Sequence, residues 1–435
     1  MELFNQMEKI FTPKSIAVVG ASANKQKFGY HILEMLLGEG YKGKIYPINL
    51  KAEEILGLTC YKTLSDLPEC PDIAALLIPA KLVLETVKEC TQRGVKCVVI
   101  VTSGFSEAGE EGKNLQEELK KITAGTQTRI IGPNCEGIVN VHSSMALSFS
   151  QMFHDLKPGP VSIISHSGSY CGILARRISK AGVGISKVIS AGNEVDLSTI
   201  DYMQYLGDDD NTKVILAYLE ELRKPDKFKK VLDEISKKKP VVIQKAGRTS
   251  IGATAVSSHT GALAGSNRVV SAFLRQNGVI RVKSINELVY AGLGLATQPL
   301  VKGNRLAVVS GVGGIAVETA ELCVEGGLSI PRLAEGTKSK IAKNLPYFAA
   351  VGNPIDMTGV AYGDPKMVGS TLEAIIEDDS IDAILFILTI AKSVEFAKVV
   401  YETMNRCNKP ILMCWTAGVD VTPEPINYLM EKDVP

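Results

Sequence analysis

The same local pattern occurs three times along this chain at a regular interval. A run of apolar, strand-forming residues is followed by a glycine or serine turn and then by helical periodicity, and the runs begin at Ala17, Ser162 and Ala307, 145 residues apart each time. This spacing indicates three α/β domains, each opening with a strand whose carboxyl end meets a helix N-terminus. Each opening can bind an anion, because free N–H groups and the helix dipole meet there.

Further apolar runs follow within each repeat and are separated by amphipathic stretches. In the first repeat they are Lys44–Asn49, Ile73–Ile78 and Cys97–Val101. This alternation is typical of a doubly wound parallel sheet. We therefore expect an α/β protein of three consecutive domains: a Rossmann-like domain at 1–145, a flavodoxin-like domain at 146–300 and a second flavodoxin-like domain at 301–435. The chain stops where another strand is expected, so it is either one subunit or a fragment with a shortened third domain.

Composition narrows the class of protein. The 435 residues exceed one ordinary core, and 48 basic against 47 acidic residues give no global field that favours nucleic acid or an anionic membrane. Nine cysteines without a CxxC pair indicate neither a disulfide framework nor a zinc site. The first residues show neither a basic n-region nor an apolar h-region, and no apolar window is long enough to span a bilayer, so we expect neither export nor a membrane span. We expect a cytoplasmic protein without a metal site of its own.

The first repeat carries a phosphate-binding pattern that departs from the dinucleotide fingerprint. Gly20, Ala21 and Ser22 stand where the first strand turns into a helix, but G-x-G-x-x-G is absent. Lys51 follows the second strand, where a dinucleotide site wants an acid for the ribose hydroxyl. A lysine suits an extra ribose phosphate, which coenzyme A and NADP carry and NAD does not. The pattern favours CoA and leaves NADP open, and Lys51 could also be an ordinary solvated lysine.

Later strand ends of the same sheet add candidate CoA contacts, because ligands of open α/β sheets lie across the carboxyl ends of strands. These positions are Pro79, Ser103, Gly104 and Asn134. Cys135 invites interpretation as a nucleophile, but free cysteines are mostly buried and inert and no activating base is near it in sequence. We therefore do not expect Cys135 to be catalytic.

The second repeat opens with a candidate phosphate cradle. It consists of Ser165, His166, Ser167, Gly168 and Ser169, and the hydroxyls and free amides of such a helix start can hold a phosphate dianion. Simple N-capping is the alternative, although it needs only one of the serines. His166 is also a rival candidate for carrying a phosphoryl group.

His259 stands in a run of small residues, where an imidazole can accept a phosphoryl group. Fourteen of the nineteen residues from Gly247 to Gly265 are Gly, Ala, Ser or Thr, which predicts a loop able to move. A surface histidine at a helix start is the plainer alternative. Glu220, just past a buried strand, is placed to orient an imidazole by a hydrogen bond, and Glu221 could substitute for it.

Five segments, taken in order, resemble the α subunit or α portion of NDP-forming acyl-CoA synthetases, which are relatives of succinyl-CoA synthetase. The resemblance covers essentially the whole chain. The segments are Ser15–Ser22, Tyr46–Asn49, Gly132–Cys135, Ser257–Gly265 and Val351–Asp356.

The resemblance implies that the first domain binds CoA, that His259 is phosphorylated and that Glu220 orients it. It further implies that Ser165–Ser169, together with Gly261, stabilise the phosphoryl group. The implied reaction is acyl-CoA + phosphate + ADP = carboxylic acid + CoA + ATP, through an acyl phosphate and a phosphohistidine. ADP/ATP and Mg²⁺ would belong to an ATP-grasp β subunit or fused domain, so an α/β hetero-oligomer is expected.

The sequence departs from the family pattern at two places. The family commonly has glutamine where His166 stands, and its third domain often has an asparagine-containing turn where this chain has Ser310–Gly314. No ATP-grasp portion is recognisable, so the chain is not expected to make ATP alone. The rival interpretations are a CoA-binding regulatory module of the type fused to protein acetyltransferases, which typically lacks the histidine, and an NADP-dependent oxidoreductase. The acyl group and the choice between ADP and GDP are not readable from these segments.

Overall fold

The computed structural model describes residues 2–260, 266–432 and 434. Its contacts divide the chain into two compact units, Met1–Lys180 with Gly184–Gly292, and Leu293–Pro435 with Ala181–Val183. Among the described residues, the first unit contains two large sheets and one two-stranded sheet, and the second contains one sheet.

The first sheet is parallel and has the strand order β2-β1-β5-β6-β7, with β3 and β4 forming a separate antiparallel pair. Every residue of β1 is buried, as expected for a central strand with helices on both faces. Along this part of the chain the elements are α1 (Glu2–Phe11), β1 (Ser15–Val19), α2 (Phe28–Gly38), β2 (Lys44–Ile48), β3 (Glu54–Ile55), β4 (Leu58–Thr59), β5 (Ile73–Leu76), α3 (Ala80–Arg93), β6 (Cys97–Ile100), α4 (Glu110–Thr123) and β7 (Arg129–Ile131).

The second sheet has the order β14-β13-β12-β10-β11-β8-β9, in which the first five strands are parallel and the β8–β9 hairpin is antiparallel to β11. Its elements are β8 (Gly137–Asn140), β9 (Met145–Ser148), β10 (Pro158–Ser165), α5 (Gly168–Lys180), β11 (Ile185–Ser190), α6 (Thr199–Asp208), β12 (Val214–Leu219), α7 (Pro225–Ile235), β13 (Val241–Lys245), α8 (Ser250–Thr260), α9 (Asn267–Gln276), β14 (Ile280–Val282) and α10 (Ile285–Thr297).

The third sheet is parallel with the order β16-β15-β17-β18. Its elements are β15 (Leu306–Ser310), α11 (Gly313–Glu325), α12 (Glu335–Asn344), β16 (Ile355–Asp356), α13 (Pro365–Ile376), β17 (Ala383–Leu388), α14 (Val394–Asn405), β18 (Ile411–Trp415) and α15 (Pro423–Glu431). In each sheet the opening strand lies between the second and third parallel strands. This is the flavodoxin-like order, which places a ligand-binding crevice at the carboxyl end of the opening strand.

The predicted fold class, an α/β protein of three consecutive domains, is confirmed, and the three opening runs are the interior strands β1, β10 and β15. In the first domain, which was predicted to be Rossmann-like, the strand order is the flavodoxin-like variant of a doubly wound sheet. The β8–β9 hairpin was not predicted. Strand β8 lies before residue 146, where the second domain was predicted to begin, and β9 spans that residue, yet both strands belong to the second sheet. The predicted domain boundaries themselves stay a prediction. Within the described part of the chain, no helix is both long and apolar enough to cross a bilayer.

The expectation of a loop over 247–265 is wrong for Ser250–Thr260, which form helix α8. The backbone N–H of Gly252 donates to the Thr249 hydroxyl at 3.1 Å, and this bond satisfies one of the donors that a helix start leaves free. Small residues permit a loop, but alanine, serine and threonine also permit a helix once its first turn is capped.

Candidate active site

The turn after β1 is held tightly against its surroundings by two glycines. A Cβ on Gly20, whose φ is +94°, would lie 2.5 Å from the carbonyl oxygen of Leu77, and one on Gly29 would lie 2.1 Å from the carbonyl oxygen of Gly20. The start of α2 therefore packs directly on the turn. This geometry leaves the backbone of Ala21 and Ser22 at the carboxyl edge of the sheet, where a phosphate can approach.

Asn49 joins this turn to the segment after β2. Its Nδ2 donates to the carbonyl oxygen of Ala21 at 2.8 Å, and its Oδ1 accepts the backbone N–H groups of Lys51 and Ala52, each at 2.8 Å. The backbone of Lys51 is thereby fixed beside the turn after β1, while its side chain is exposed. The arrangement suits the predicted contact between Lys51 and a ribose phosphate.

The other predicted CoA contacts follow neighbouring strands of the same sheet. Pro79 precedes α3 after β5, Ser103 and Gly104 follow β6, and Asn134 follows β7. Gly104 has φ +104° and Asn134 has φ +59°, so both turns use left-handed backbone. The structure thus brings these residues to one edge of the sheet, although their role in binding CoA stays a prediction.

Asn193 connects this edge to the second sheet. Its Nδ2 donates to Glu107 Oε2 at 2.5 Å, and its Oδ1 accepts Asn134 Nδ2 at 3.4 Å. A Cβ on Gly192 would lie 2.2 Å from the carbonyl oxygen of Pro133, so the two loops are in direct backbone contact. The carboxyl edges of the two sheets therefore meet here, within one compact unit.

A small cleft lies at this meeting point. Asn134 lines it from the first sheet, and Glu220 with His166 lines it from the second. Arg223 also faces it, donating Nη1 to the carbonyl oxygen of Asn193 at 2.9 Å and forming an ion pair with Glu221. The cleft joins the predicted CoA side to the predicted phosphoryl side.

Cys135 is not placed to act as a nucleophile. Its side chain is buried, its Sγ donates to the carbonyl oxygen of Ile100 at 3.3 Å, and burial raises the pKa of its thiol to about 12. A thiol with this pKa stays protonated at neutral pH, when nucleophilic attack needs the thiolate. The expectation that Cys135 is not catalytic agrees with this geometry.

The start of α5 is shaped by Ser165. Its Oγ donates to the carbonyl oxygen of Ser167 at 2.6 Å and accepts the N–H of Ser167 at 3.1 Å. The Ser165 hydroxyl is therefore used within the turn. The N–H groups of Gly168 and Ser169, in the first turn of the helix, have no intrahelical acceptor and remain the natural donors for an anion.

Glu136 lies at this helix start and was missed by the sequence reasoning. The Ser169 hydroxyl donates to its Oε1 at 3.1 Å, and its Oε2 is buried without a hydrogen bond to any residue that the structure describes. Burial raises the pKa of Glu136, and the hydroxyls of Ser169 and Ser150 offset part of this effect. Its position directly after Cys135, in a turn already singled out, was the available signal.

His166 is held by hydrogen bonds on both ring nitrogens. Its Nδ1 accepts the backbone N–H of Glu220 at 3.2 Å, and its Nε2 lies 3.1 Å from Thr199 Oγ1 and 3.3 Å from Glu194 Oε1. Neither nitrogen is free to carry a phosphoryl group in this conformation, because each is within hydrogen-bond distance of a neighbouring residue. Glu194 was missed from the sequence, although it follows the end of β11 and the strand-end rule could have found it.

Glu220 is buried directly after β12, where the Lys245 ammonium donates to its carbonyl oxygen at 2.8 Å. Helix α8, which carries the backbone of His259, follows the adjacent strand β13 and lies against the turn Ser106–Ala108. The side chain of His259 and all of Gly261 lie outside the described residues.

Comparison with known proteins matches three consecutive family models: a CoA binding domain over residues 14–141, a succinyl-CoA ligase like flavodoxin domain over 158–293 and a ligase-CoA domain over 306–435. The α subunit of acetate–CoA ligase (ADP-forming) II from Pyrococcus furiosus is 37% identical over 434 residues, which cover 98% of this chain and 93% of that one. This chain belongs to the α-subunit family of the ADP-forming acyl-CoA ligases.

Two further relatives show the range of the family. An acetyl-coenzyme A synthetase from Ca. Korarchaeum cryptofilum, solved with phosphate and ADP, superposes with a TM-score of 0.91 at 32% identity and covers 98% of this chain and 92% of its own. A trans-feruloyl-CoA synthase from an unknown prokaryotic organism is 34% identical over 87% of this chain, which spans 54% of that protein. The predicted resemblance to acyl-CoA ligases is confirmed. An acid–thiol ligase component is favoured over the regulatory module and the oxidoreductase.

Proposed function

We propose that this chain performs the acyl and first phosphoryl steps of the reaction acyl-CoA + phosphate + ADP = carboxylic acid + CoA + ATP. The observation that carries the proposal is the strand order β13-β12-β10. It sets α8, Glu220 and the start of α5 side by side, because each follows one of three adjacent parallel strands. The helix that carries His259, the carboxylate of Glu220 and the helix start Gly168–Ser169 thus all follow strand ends at one sheet edge.

The proposed chemistry follows from these positions. A phosphate oxygen attacks the thioester carbonyl carbon, the C–S bond breaks, and CoA leaves as the thiolate with an acyl phosphate formed. An imidazole nitrogen of His259 then attacks phosphorus, the acyl P–O bond breaks, and the carboxylate is released. The free N–H groups of Gly168 and Ser169 would stabilise the charge on the phosphoryl oxygens, while Glu220 would hold the imidazole in the reactive tautomer.

CoA is proposed to lie across the first sheet. The backbone turn Gly20–Ser22 would bind its phosphates, Lys51 its ribose 3′-phosphate, and the edge formed by Pro79, Ser103, Gly104 and Asn134 would guide its thiol end. The Asn193 contact places that edge beside Glu220, so a thioester held there would reach the phosphate cradle.

The nucleotide step would need a partner. ADP and Mg²⁺ are proposed to bind an ATP-grasp subunit or domain, whose ADP oxygen attacks the phosphohistidine and breaks the P–N bond to give ATP. The names of relatives differ in the acid, acetate in one and ferulate in another, so the acyl group of this chain is left to experiment.

The test is labelling with radioactive inorganic phosphate in the presence of a panel of acyl-CoAs, followed by peptide mapping of acid-labile, base-stable phosphate. Label on the peptide of His259 with one acyl-CoA would establish the phosphohistidine and name the substrate. His259→Asn should take no label, whereas the control variant His142→Asn, changed at an exposed histidine, should label normally. If no acyl-CoA labels the chain even with an ATP-grasp subunit present, the proposal is wrong.

A further inference from the structure

The geometry points to a second carboxylate with a role in this reaction. We propose that Glu194 positions Glu220 through His166, so that Glu194 and His166 are positioning residues for phosphoryl transfer. The inference rests on the proposed function, in which Glu220 orients the phosphorylated histidine. It gives His166 a task different from the phosphate contact expected from the sequence.

Glu220, His166 and Glu194 are joined by a continuous series of hydrogen bonds that passes through Thr199. The backbone N–H of Glu220 donates to His166 Nδ1 at 3.2 Å, and His166 Nε2 lies 3.1 Å from Thr199 Oγ1. Thr199 in turn gives both its hydroxyl and its backbone N–H to Glu194 Oε1, at 2.5 and 2.6 Å. The chain therefore leads from the end of β12 to a carboxylate at the start of α6.

The direction of every bond in this chain is fixed. A backbone N–H can only donate, so His166 Nδ1 must be the unprotonated nitrogen and the neutral ring carries its proton on Nε2. An ionised carboxylate can only accept, so the Thr199 hydroxyl points to Glu194 and keeps a lone pair for the Nε2–H group. The Glu220 N–H on one side of the ring and Thr199 with Glu194 on the other thus favour the same tautomer, and Glu194 holds the ring in the orientation that accepts from the Glu220 backbone.

Burial of the His166 and Glu194 side chains holds them to these hydrogen-bond partners. The side chains of His166 and Glu194 are only 7% and 4% exposed, so neither can exchange its partner for bulk water. Burial by itself would raise the pKa of Glu194, but hydrogen bonds from the His166 Nε2–H group and the Thr199 hydroxyl oppose it and the pKa is lowered, which keeps the acceptor charged. Glu194 also holds a left-handed backbone with φ +54°, a conformation that a non-glycine residue keeps when its surroundings require it.

The same hydrogen-bond chain explains why histidine can stand at position 166, where the family commonly has glutamine. A glutamine side chain offers an amide oxygen to accept the Glu220 N–H and an amide N–H to donate towards Thr199. It therefore reproduces the acceptor and donor of the Nε2–H imidazole in the same order. Leucine has a similar volume and offers neither.

The experiment compares variants of the full chain by two measurements. Nitrogen NMR of ¹⁵N-histidine-labelled protein should show His166 as the Nε2–H tautomer, with the signal lost or shifted towards the other tautomer in Glu194→Met. The shift should be smaller in Thr199→Val, because Nε2 also lies 3.3 Å from Glu194 Oε1. Turnover, with an ATP-grasp subunit supplied, should fall by roughly ten- to a hundredfold in kcat in His166→Leu because the Glu220 N–H loses its acceptor. KM for CoA should change little, and His166→Gln should restore most of the lost turnover.

Three results would overturn the inference: an Nδ1–H tautomer in the wild-type protein, loss of the Nε2–H tautomer with undiminished kcat, or a His166→Gln variant as slow as His166→Leu. If Glu194→Met does not fold, Thr199→Val replaces it in the test, since it exchanges one hydroxyl for a methyl group of similar size; a His166 Nε2 signal identical to that of the wild type would then contradict the hydrogen-bond chain. A wild-type chain that never labels on His259 would instead overturn the proposed function, while the ring signals would still confirm or refute the hydrogen-bond chain.

Discussion

The carboxyl group of Glu136 lies against Gly168, the first residue of helix α5. A Cβ on Gly168 would fall 2.4 Å from Glu136 Cγ, and the neighbouring Ser169 hydroxyl donates to Glu136 Oε1 at 3.1 Å. A carboxyl group of the protein therefore stands at the helix start that is proposed to hold phosphate. Phosphate binding should depend on the charge of that group.

Glu136→Gln should lower the KM for phosphate, because it removes a negative charge and keeps the volume and one acceptor oxygen. Glu136 is partly buried, so solvent screens its charge only in part, and the repulsion is worth about 1 kcal/mol or more, which is at least roughly fivefold in KM. Steady-state ATP formation against phosphate concentration measures it. Glu111→Gln, at an exposed position on α4, is the control and should leave KM unchanged.

The pH dependence of the same pair gives a second check. Burial raises the pKa of Glu136, so its carboxyl group loses its charge at a higher pH than an ordinary glutamate does. The ratio of wild-type to Glu136→Gln KM should therefore be largest at alkaline pH and approach one as the pH falls through that raised pKa. A ratio independent of pH would mean that Glu136 does not face the phosphate.

Gly168→Ala should destabilise the protein through its contact with Glu136. A methyl group at that distance forces the Glu136 side chain or the helix start to shift, at a cost of about 1–3 kcal/mol in the free energy of unfolding. Shortening the neighbour in Glu136→Ala should relieve most of this cost. Denaturant unfolding of the two single variants and the double variant measures the coupling, and strictly additive losses would contradict the contact.

Most of the fold could be predicted from the sequence, because parallel strands that are buried on both faces appear as continuous apolar runs. Strands β1, β10 and β15 are of this kind. The sequence also placed Glu220 and the start of α5 correctly at strand ends. It could not show that the His166 ring contacts Thr199 and Glu194, because one lies at the start of α6 and the other in the segment after β11, both distant from His166 in sequence. The β8–β9 hairpin was equally hidden, since its place in the sheet is decided by pairing with β11.

Lys51→Glu should weaken CoA binding. Asn49 fixes the backbone of Lys51 beside the turn after β1, so a ribose phosphate bound across that turn would meet its ammonium group. Loss of a charge-assisted hydrogen bond costs about 1–3 kcal/mol, or roughly five- to a hundredfold in Kd. Calorimetric titration with CoA measures it. Lys42→Glu, at the opposite end of β2, makes the same charge change and should have little effect, and equal losses in both variants would refute a specific contact.

The ion pair between Lys187 and Asp209 predicts a large stability effect away from the site. Both side chains are buried, their N–O distance is 2.8 Å, and the Lys187 ammonium outweighs burial to hold the pKa of Asp209 below its ordinary value. Lys187→Met would leave a buried carboxylate without its cation and should lower the free energy of unfolding by about 3–5 kcal/mol at neutral pH.

The sign of the pH effect follows from the depressed pKa of Asp209. Its contribution in the wild type is complete above the unfolded-state pKa of about 4 and is lost as the pH falls towards the folded-state value. The stability gap between wild type and Lys187→Met should therefore narrow when urea unfolding is repeated at progressively lower pH. The exposed pair Lys238–Asp208, separated by 2.7 Å, is the matched control. Lys238→Met should change stability little at any pH, because solvent screens that pair; a loss as large as that of Lys187→Met would show that burial is not the cause.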